Sequence, residues 1–258
     1  LGDTIQRYDF APLDGITKVV FRQVYHRMFG GADRYFIPFF SPTDQHILTK
    51  RDQRELDPAA NADLPLVPQV MSCLAPDFLW AAEVLGDMGY PEVNLNLGCP
   101  SGTVTAKGKG AGFLAKPEEL ERFFDEVFAA VKLPVSVKTR LGVKEPEEFE
   151  RLLDIYNRYP IACLTIHPRV QKQFYKGTVH RDWFAWAAER SRNPLCYNGD
   201  LVTVEDCTVF AVDFPAIDAV MIGRGAIADP ALLRKLRGGV PTTRQELQTF
   251  TRTLYQSY

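Results

Sequence analysis

The chain has 258 residues, 46% of them hydrophobic and 24% charged, and its 30 Lys and Arg against 32 Asp and Glu leave a net charge of −2. This is an ordinary globular composition, so a nucleic-acid partner would have to meet a local basic face rather than bulk positive charge. No apolar run reaches the roughly 20 residues of a bilayer span. The N-terminus shows no secretory pattern, and the five cysteines are odd in number without zinc-type spacing, so a reducing cytoplasm is expected.

Taken in chain order, short β-rich runs alternate with longer helical patterns. Strands are predicted at Tyr8–Ala11, Arg34–Ile37, Leu66–Met71, Glu92–Asn96, Val135–Thr139, Ala162–Ile166, Leu195–Tyr197 and Ala219–Ile222. Between them lie predicted helices at Lys18–Phe29, Pro76–Met88, Pro117–Val131, Pro146–Asn157, Arg181–Glu189 and Val204–Val212. Several of these open on proline or an acidic first turn, as in "KPEEL" and "EPEEF", which suits a helix N-terminus. Eight strand-then-helix steps predict a TIM-type (β/α)8 barrel in the α/β class. A doubly wound sheet is the alternative, but no Gly-x-Gly-x-x-Gly follows the first strand.

The barrel pattern ends near Gly239, giving a domain over residues 1–239. Residues 240–258 follow with one amphipathic stripe of Leu247, Phe250 and Leu254. We expect this helix to open a C-terminal helical domain that is truncated here, because the chain lacks an initial methionine and stops within the pattern.

Chemistry in such a barrel collects at the C-terminal strand ends. Those ends carry Ala11-Pro12-Leu13, Gln69, Asn96 with Cys99, Lys138 with Arg140, His167 with Arg169, Asn198-Gly199-Asp200 and Gly223-Arg224. The glycines in "YNGD" and "MIGRG" allow backbone N–H groups to approach an anion, with Arg224 alongside. That placement, after the last two strands, favours a phosphate-bearing cofactor over a pair of plain turns. An inward Lys138 in an apolar barrel requires an anionic or carbonyl-rich partner, a Schiff-base role or a salt bridge. The stretch "NLNLGCPSGTVTAKGKGAGF" places one cysteine at a strand end under a glycine- and lysine-rich loop without acidic residues.

The segments "APLDGIT", "NLGCPSGTV…KGKGAGFL", "VKTRLG", "IHPR…QFYKG", "YNGD" and "MIGRGA" resemble, in order and spacing, the tRNA-dihydrouridine synthases over residues 8 to 238. The resemblance implies FMN in the barrel, NADPH or NADH as reductant and tRNA as partner; from the residues, no metal and no membrane are expected, and no protein partner is implied. It implies that Ala11, Pro12 and Leu13 line the flavin ring, although Leu13 stands where the family more often has methionine. Gln69 and Lys138 match residues at the ring's polar edge. His167, Asn198, Gly199, Asp200, Gly223 and Arg224 match phosphate and ribityl contacts. Asn96 and Arg169 match residues that hold the target nucleotide, and Cys99 matches the catalytic acid. Pro168 and Val170 depart from the family's His-Gly-Arg-Thr.

Lys107 and Lys109 are then expected to meet tRNA phosphates on a loop that the glycines allow to move. Two other readings are a barrel enzyme acting on a free pyrimidine, of the dihydroorotate dehydrogenase type, and a non-catalytic RNA-binding barrel. Cys73, Cys163 and Cys196 are expected to be buried small hydrophobes.

Overall fold

The computed structural model describes residues 5–258, and in it eight parallel strands close in chain order into a barrel. The first half runs β1 (Arg7–Phe10), α1 (Val19–Met28), β2 (Arg34–Phe40), α2 (Lys50–Leu56), β3 (Leu66–Val70), α3 (Ala75–Asp87) and β4 (Val93–Leu97). Next come α4 (Gly102–Thr105), a 3-10 turn at Gly110–Ala115, α5 (Pro117–Ala130), β5 (Val135–Arg140), α6 (Glu148–Tyr156), β6 (Leu164–His167) and α7 (Arg181–Arg190). The last part holds β7 (Leu195–Tyr197), α8 (Val204–Asp213), β8 (Ala219–Ile222), α9 (Arg224–Ala228), α10 (Leu232–Leu236) and α11 (Arg244–Ser257). The predicted strands and helices are all present, β7 and β8 residue for residue. Among the described residues, no helix is long and apolar enough to cross a membrane.

Four short helices were not predicted: α2, α4, α9 and α10. The sequence of α2, "KRDQREL", buries only Glu55 and Leu56 and carries no apolar stripe. Its placement comes from a buried ion pair: Arg22 on α1 meets Glu55 at 3.0 Å and also donates to Asn61 Oδ1 at 3.1 Å. The Arg22 guanidinium further donates to the Thr17 carbonyl at 2.8 Å. Thr17 Oγ1 in turn accepts the Leu13 N–H at 2.9 Å, so the pair steadies the turn that leaves β1.

The chain divides into two compact units, one of residues up to Pro38, Lys50–Val67 and Asn198–Tyr258, the other of Phe39–Thr49 and Pro68–Tyr197. In the first unit, α11 lies on α1 through Phe250, which is 6% exposed. Its ring centroid is 5.8 Å from Phe21 and 5.1 Å from Phe29. The start of α11 is fixed by Thr243 Oγ1, which accepts the Glu246 N–H at 3.1 Å. The Glu246 carboxylate takes two bonds from Arg234, at 2.6 and 2.9 Å. The helix is thus tied to the barrel by an aromatic plug and a paired charge.

In the second unit, β4 reads Val-Asn-Leu-Asn-Leu and β5 reads Val-Ser-Val-Lys-Thr-Arg. A strand buried on both faces normally reads as a continuous apolar run. Here every second residue is polar, and the register sets Gln69 beside Asn94, Asn94 beside Ser136, Asn96 beside Lys138 and Arg140 beside His167. With a period of two, these polar residues share one face while valines, leucines and Thr139 cover the other.

Phe250→Ala removes a buried ring from an aromatic cluster and should destabilise the protein by about 3–5 kcal/mol. A thermal or urea midpoint unchanged by this substitution would show that α11 is only loosely held.

Candidate active site

The polar face of the second unit is a directed chain of hydrogen bonds. Ser136 Oγ donates to Glu92 Oε1 at 2.5 Å, and accepts from Asn94 Nδ2 at 2.8 Å. Asn94 Oδ1 accepts from Gln69 Nε2 at 2.8 Å, and Gln69 Oε1 accepts from Asn96 Nδ2 at 2.7 Å. Asn96 Oδ1 is left to accept two backbone N–H groups, Gly98 at 3.0 Å and Cys99 at 2.9 Å. A carboxylate can only accept, so Glu92 at one end dictates the orientation of all three amides up to the Cys99 turn.

Cys99 is held from its other sides as well. Its carbonyl accepts the Ala111 N–H at 3.0 Å. Arg140 Nε donates to the preceding Gly98 carbonyl at 2.8 Å. Gly110, at φ +55°, packs directly beneath: a Cβ there would lie 2.9 Å from the Cys99 carbonyl oxygen and 3.1 Å from its Cβ. This glycine serves close approach, and it leaves the cysteine partly exposed on a fixed backbone.

The loop over Thr103–Gly112, expected from its glycines to be able to move, has regular structure of its own. It contains α4 and leads into the 3-10 turn, with Gly110 and Ala111 buried. A Cβ on Gly112 would lie 2.6 Å from the Thr105 carbonyl oxygen. Lys107 is exposed, whereas Lys109 Nζ donates to Ser41 Oγ at 2.8 Å. Cys73, expected to be buried, is partly exposed beneath the same loop, its Sγ 3.9 Å from the Lys107 carbonyl. Cys163, Cys196 and Cys207 are buried.

Lys138 makes no hydrogen bond or ion pair among the described residues, in contrast to the polar groups around it. Burial, reinforced by the Arg140 charge, holds its ammonium down at about 8, against an ordinary 10.5. Arg140 is itself lowered to about 10, first by burial and further by Arg169. An amine in this setting fits an anionic or carbonyl-rich ligand edge.

Two residues expected to meet substrate are engaged internally. Asn96 has both side-chain atoms in the chain described above. Arg169 is 1% exposed, and its guanidinium donates to His167 Nε2 at 3.1 Å and to the carbonyls of Lys176 at 3.3 Å and Gly177 at 2.5 Å. Because arginine only donates, His167 Nε2 is the accepting atom in this contact.

In the first unit, Ala11, Pro12 and Leu13 leave β1 beside Gly223, which follows β8. A Cβ on Gly223 would lie 3.3 Å from Ala11 Cβ and 3.5 Å from Leu13 Cδ2, so its backbone packs closely against the end of β1. Asn198 Nδ2 donates to the Met221 carbonyl at 2.8 Å, which joins the β7 turn to β8. Asp200 adopts φ +46° after the buried Gly199, and its carboxylate meets Arg224 Nη2 at 2.7 Å. Arg224 is half exposed, so an incoming phosphate has a cation and glycine backbone to approach.

The sequence pattern of the dihydrouridine synthase (Dus) family matches residues 9–254. The chain belongs to that family. It is 33% identical over 232 residues to the probable tRNA-dihydrouridine synthase 1 of Synechocystis sp., covering 88% of this chain and 63% of that one. It is 32% identical over 244 residues to the tRNA-dihydrouridine(16) synthase of Ralstonia nicotianae, covering 91% and 73%. The chain thus spans less than two thirds of the Synechocystis relative's length. An old yellow enzyme homologue from Zymomonas mobilis superposes with a TM-score of 0.63 at 14% identity, covering 95% of this chain and 92% of that one. At that identity the likeness is one of fold.

Sequence reasoning missed Glu92, Asn94 and Ser136 as parts of this site, and named Arg140 at the end of β5 without giving it a role. The alternation in "VNLNL" and "VSVKTR" was the available signal, since polar residues at every second position of a core strand require partners inside the barrel.

Two outcomes follow from this geometry. Asn96→Ala leaves the Gly98 and Cys99 N–H groups unmatched and should cost roughly 1–3 kcal/mol. Alkylation at Cys99, followed by mass spectrometry of that residue, should become faster; an unchanged rate would mean that Asn96 does not fix the turn. Between about 8 and 10.5 the unfolded chain keeps a Lys138 proton that the folded chain has lost, so ligand-free stability should rise with pH across that window. In Lys138→Met the rise should be smaller and stability at neutral pH higher, as read from thermal midpoints against pH.

Proposed function

We propose that this chain carries the catalytic barrel of a tRNA-dihydrouridine synthase, which reduces the C5=C6 bond of uridine in tRNA with FMN as cofactor and NADPH or NADH as reductant. The observation that carries this reading is Cys99, partly exposed on a backbone pinned by Asn96, Arg140 and Ala111. The names of the relatives support it, and family membership does not favour the free-pyrimidine or non-catalytic alternatives.

The unpartnered Lys138, with Gln69 next to it in the polar face, suits the flavin's polar edge, where negative charge grows on reduction. His167 would face the same group. Gly199, Gly223 and Arg224 suit its phosphate, with Asp200 exchanging its arginine contact for a shared one. Ala11, Pro12 and Leu13 give the apolar wall. When bound, the flavin supplies a hydride to uracil C6.

The chain's own part is the proton. A thiol of ordinary pKa, about 8.5, is mostly protonated at neutral pH and can donate to C5. Hydride and proton together saturate the bond, and the thiolate left on Cys99 regains its proton from solvent. Asn96 keeps one amide N–H beyond its bond to Gln69, and with it can orient the uracil. Arg169 would act on the nucleotide by holding His167 and the 176–177 backbone in place. Lys107 and Lys109 are proposed to meet tRNA phosphates, the latter by leaving Ser41. We further propose that α11, whose Tyr255 is 86% exposed, opens a helical region that contacts tRNA.

Cys99→Ala should still bind FMN and be reduced by NADPH, since neither step uses the thiol. Oxidation of the pre-reduced flavin by unmodified tRNA in a single turnover should slow by roughly 10²–10⁴-fold. Wild-type rates with dihydrouridine formed would move the acid elsewhere.

A further inference from the structure

Beside the site, the loop after β6 carries two exposed aromatic residues, Phe174 and Tyr175, which are 46% and 51% exposed. Solvent exposure of two adjacent large rings is unfavourable unless a partner covers them. The Tyr175 ring lies 6.2 Å from the His167 ring, at 28°, and 5.3 Å from the Arg140 guanidinium. Half of the residue remains in solvent.

Phe174 has φ 51° and ψ −102°, a backbone conformation that is costly for a bulky residue. The conformation is maintained by Arg140 Nη1, which donates to the Phe174 carbonyl at 2.7 Å, and by the Phe174 N–H, which donates to Gln171 at 3.0 Å. Exposed Lys172 and Lys176 flank the two rings, and the chain from Leu164 to Arg181 contains no acidic residue. Aromatic faces between cations match the demands of an unstacked nucleobase with its phosphates. The same Arg140 binds the Gly98 carbonyl, so this loop and the Cys99 turn share one brace.

We propose that Phe174 and Tyr175 form a stacking platform for a base of the substrate RNA that adjoins the extruded uridine, with Lys172 and Lys176 on its phosphates. This rests on the proposed action on tRNA, and it adds a contact outside the reacting centre. The platform would compensate the RNA for stacking lost when the uridine leaves the helix.

The test is equilibrium binding of unmodified tRNA to the flavin-loaded protein, measured across a salt series. Tyr175→Ala should weaken binding roughly 5- to 150-fold without changing the salt slope, and Tyr175→Trp should restore it. Lys172→Ala and Lys176→Ala should each lower the slope by about 1. Phe174→Gly should bind less tightly while its thermal midpoint holds or rises, because glycine accepts that backbone without strain. Wild-type affinity in Tyr175→Ala, or Trp no better than Ala, would overturn the platform. If Tyr175→Ala fails to fold, Phe174→Gly decides, and wild-type affinity there overturns it. Wild-type protein that binds tRNA but forms no dihydrouridine removes the activity reading alone; absence of tRNA binding removes both.

Discussion

The hydrogen-bond chain from Glu92 through Ser136, Asn94, Gln69 and Asn96 to the Cys99 turn is the constraint on which the candidate site depends. It fills the interior of a barrel that would otherwise be closed by aliphatic side chains. Such a core is favourable only when every member is satisfied, since an orphaned buried amide costs more than its bond contributes. The polarity of the chain runs one way because its far end is a carboxylate. The partly exposed Cys99 at the near end thereby inherits a fixed backbone from a residue several strand positions away.

The same unit carries charge that it does not neutralise. Among the described residues Lys138 lacks a partner; burial and then the Arg140 charge lower it, and burial and then Arg169 lower Arg140 in turn. A folded protein gains no stability from this arrangement. It is the usual condition of a site prepared for an anion, in which a bound group supplies the missing counter-charge. Arg140 and Arg169 have a second task, since their N–H groups hold the backbone of the loop after β6 through the carbonyls of Val170, Phe174, Lys176 and Gly177.

In the first unit the corresponding work is done by packing. Phe10, Tyr25 and Phe250 make an aromatic core under α11, with Phe10 and Tyr25 only 4.7 Å apart. The Arg22–Glu55 pair secures the turn at Thr17 and Leu13. Removing either partner of so buried a pair would leave a charge without compensation. This explains why a charged segment such as α2 occupies a defined place.

The barrel, its strand order and the identity of nearly every element were legible in the sequence, because burial imposes a period and proline and acidic residues mark helix starts. The family was legible too, through motifs whose order and spacing survive. Only the tertiary structure decided what each polar group meets. Glycine-rich composition suggested motion around residues 103–112, yet Gly110 and Gly112 are there because neighbouring backbone leaves no room for a side chain. Arg169 and Asn96 stood out as polar residues at strand ends, but whether they face a ligand or one another depends on strands far away in sequence. Periodicity reports which side of a strand is buried; it carries no information about the partner waiting across the barrel.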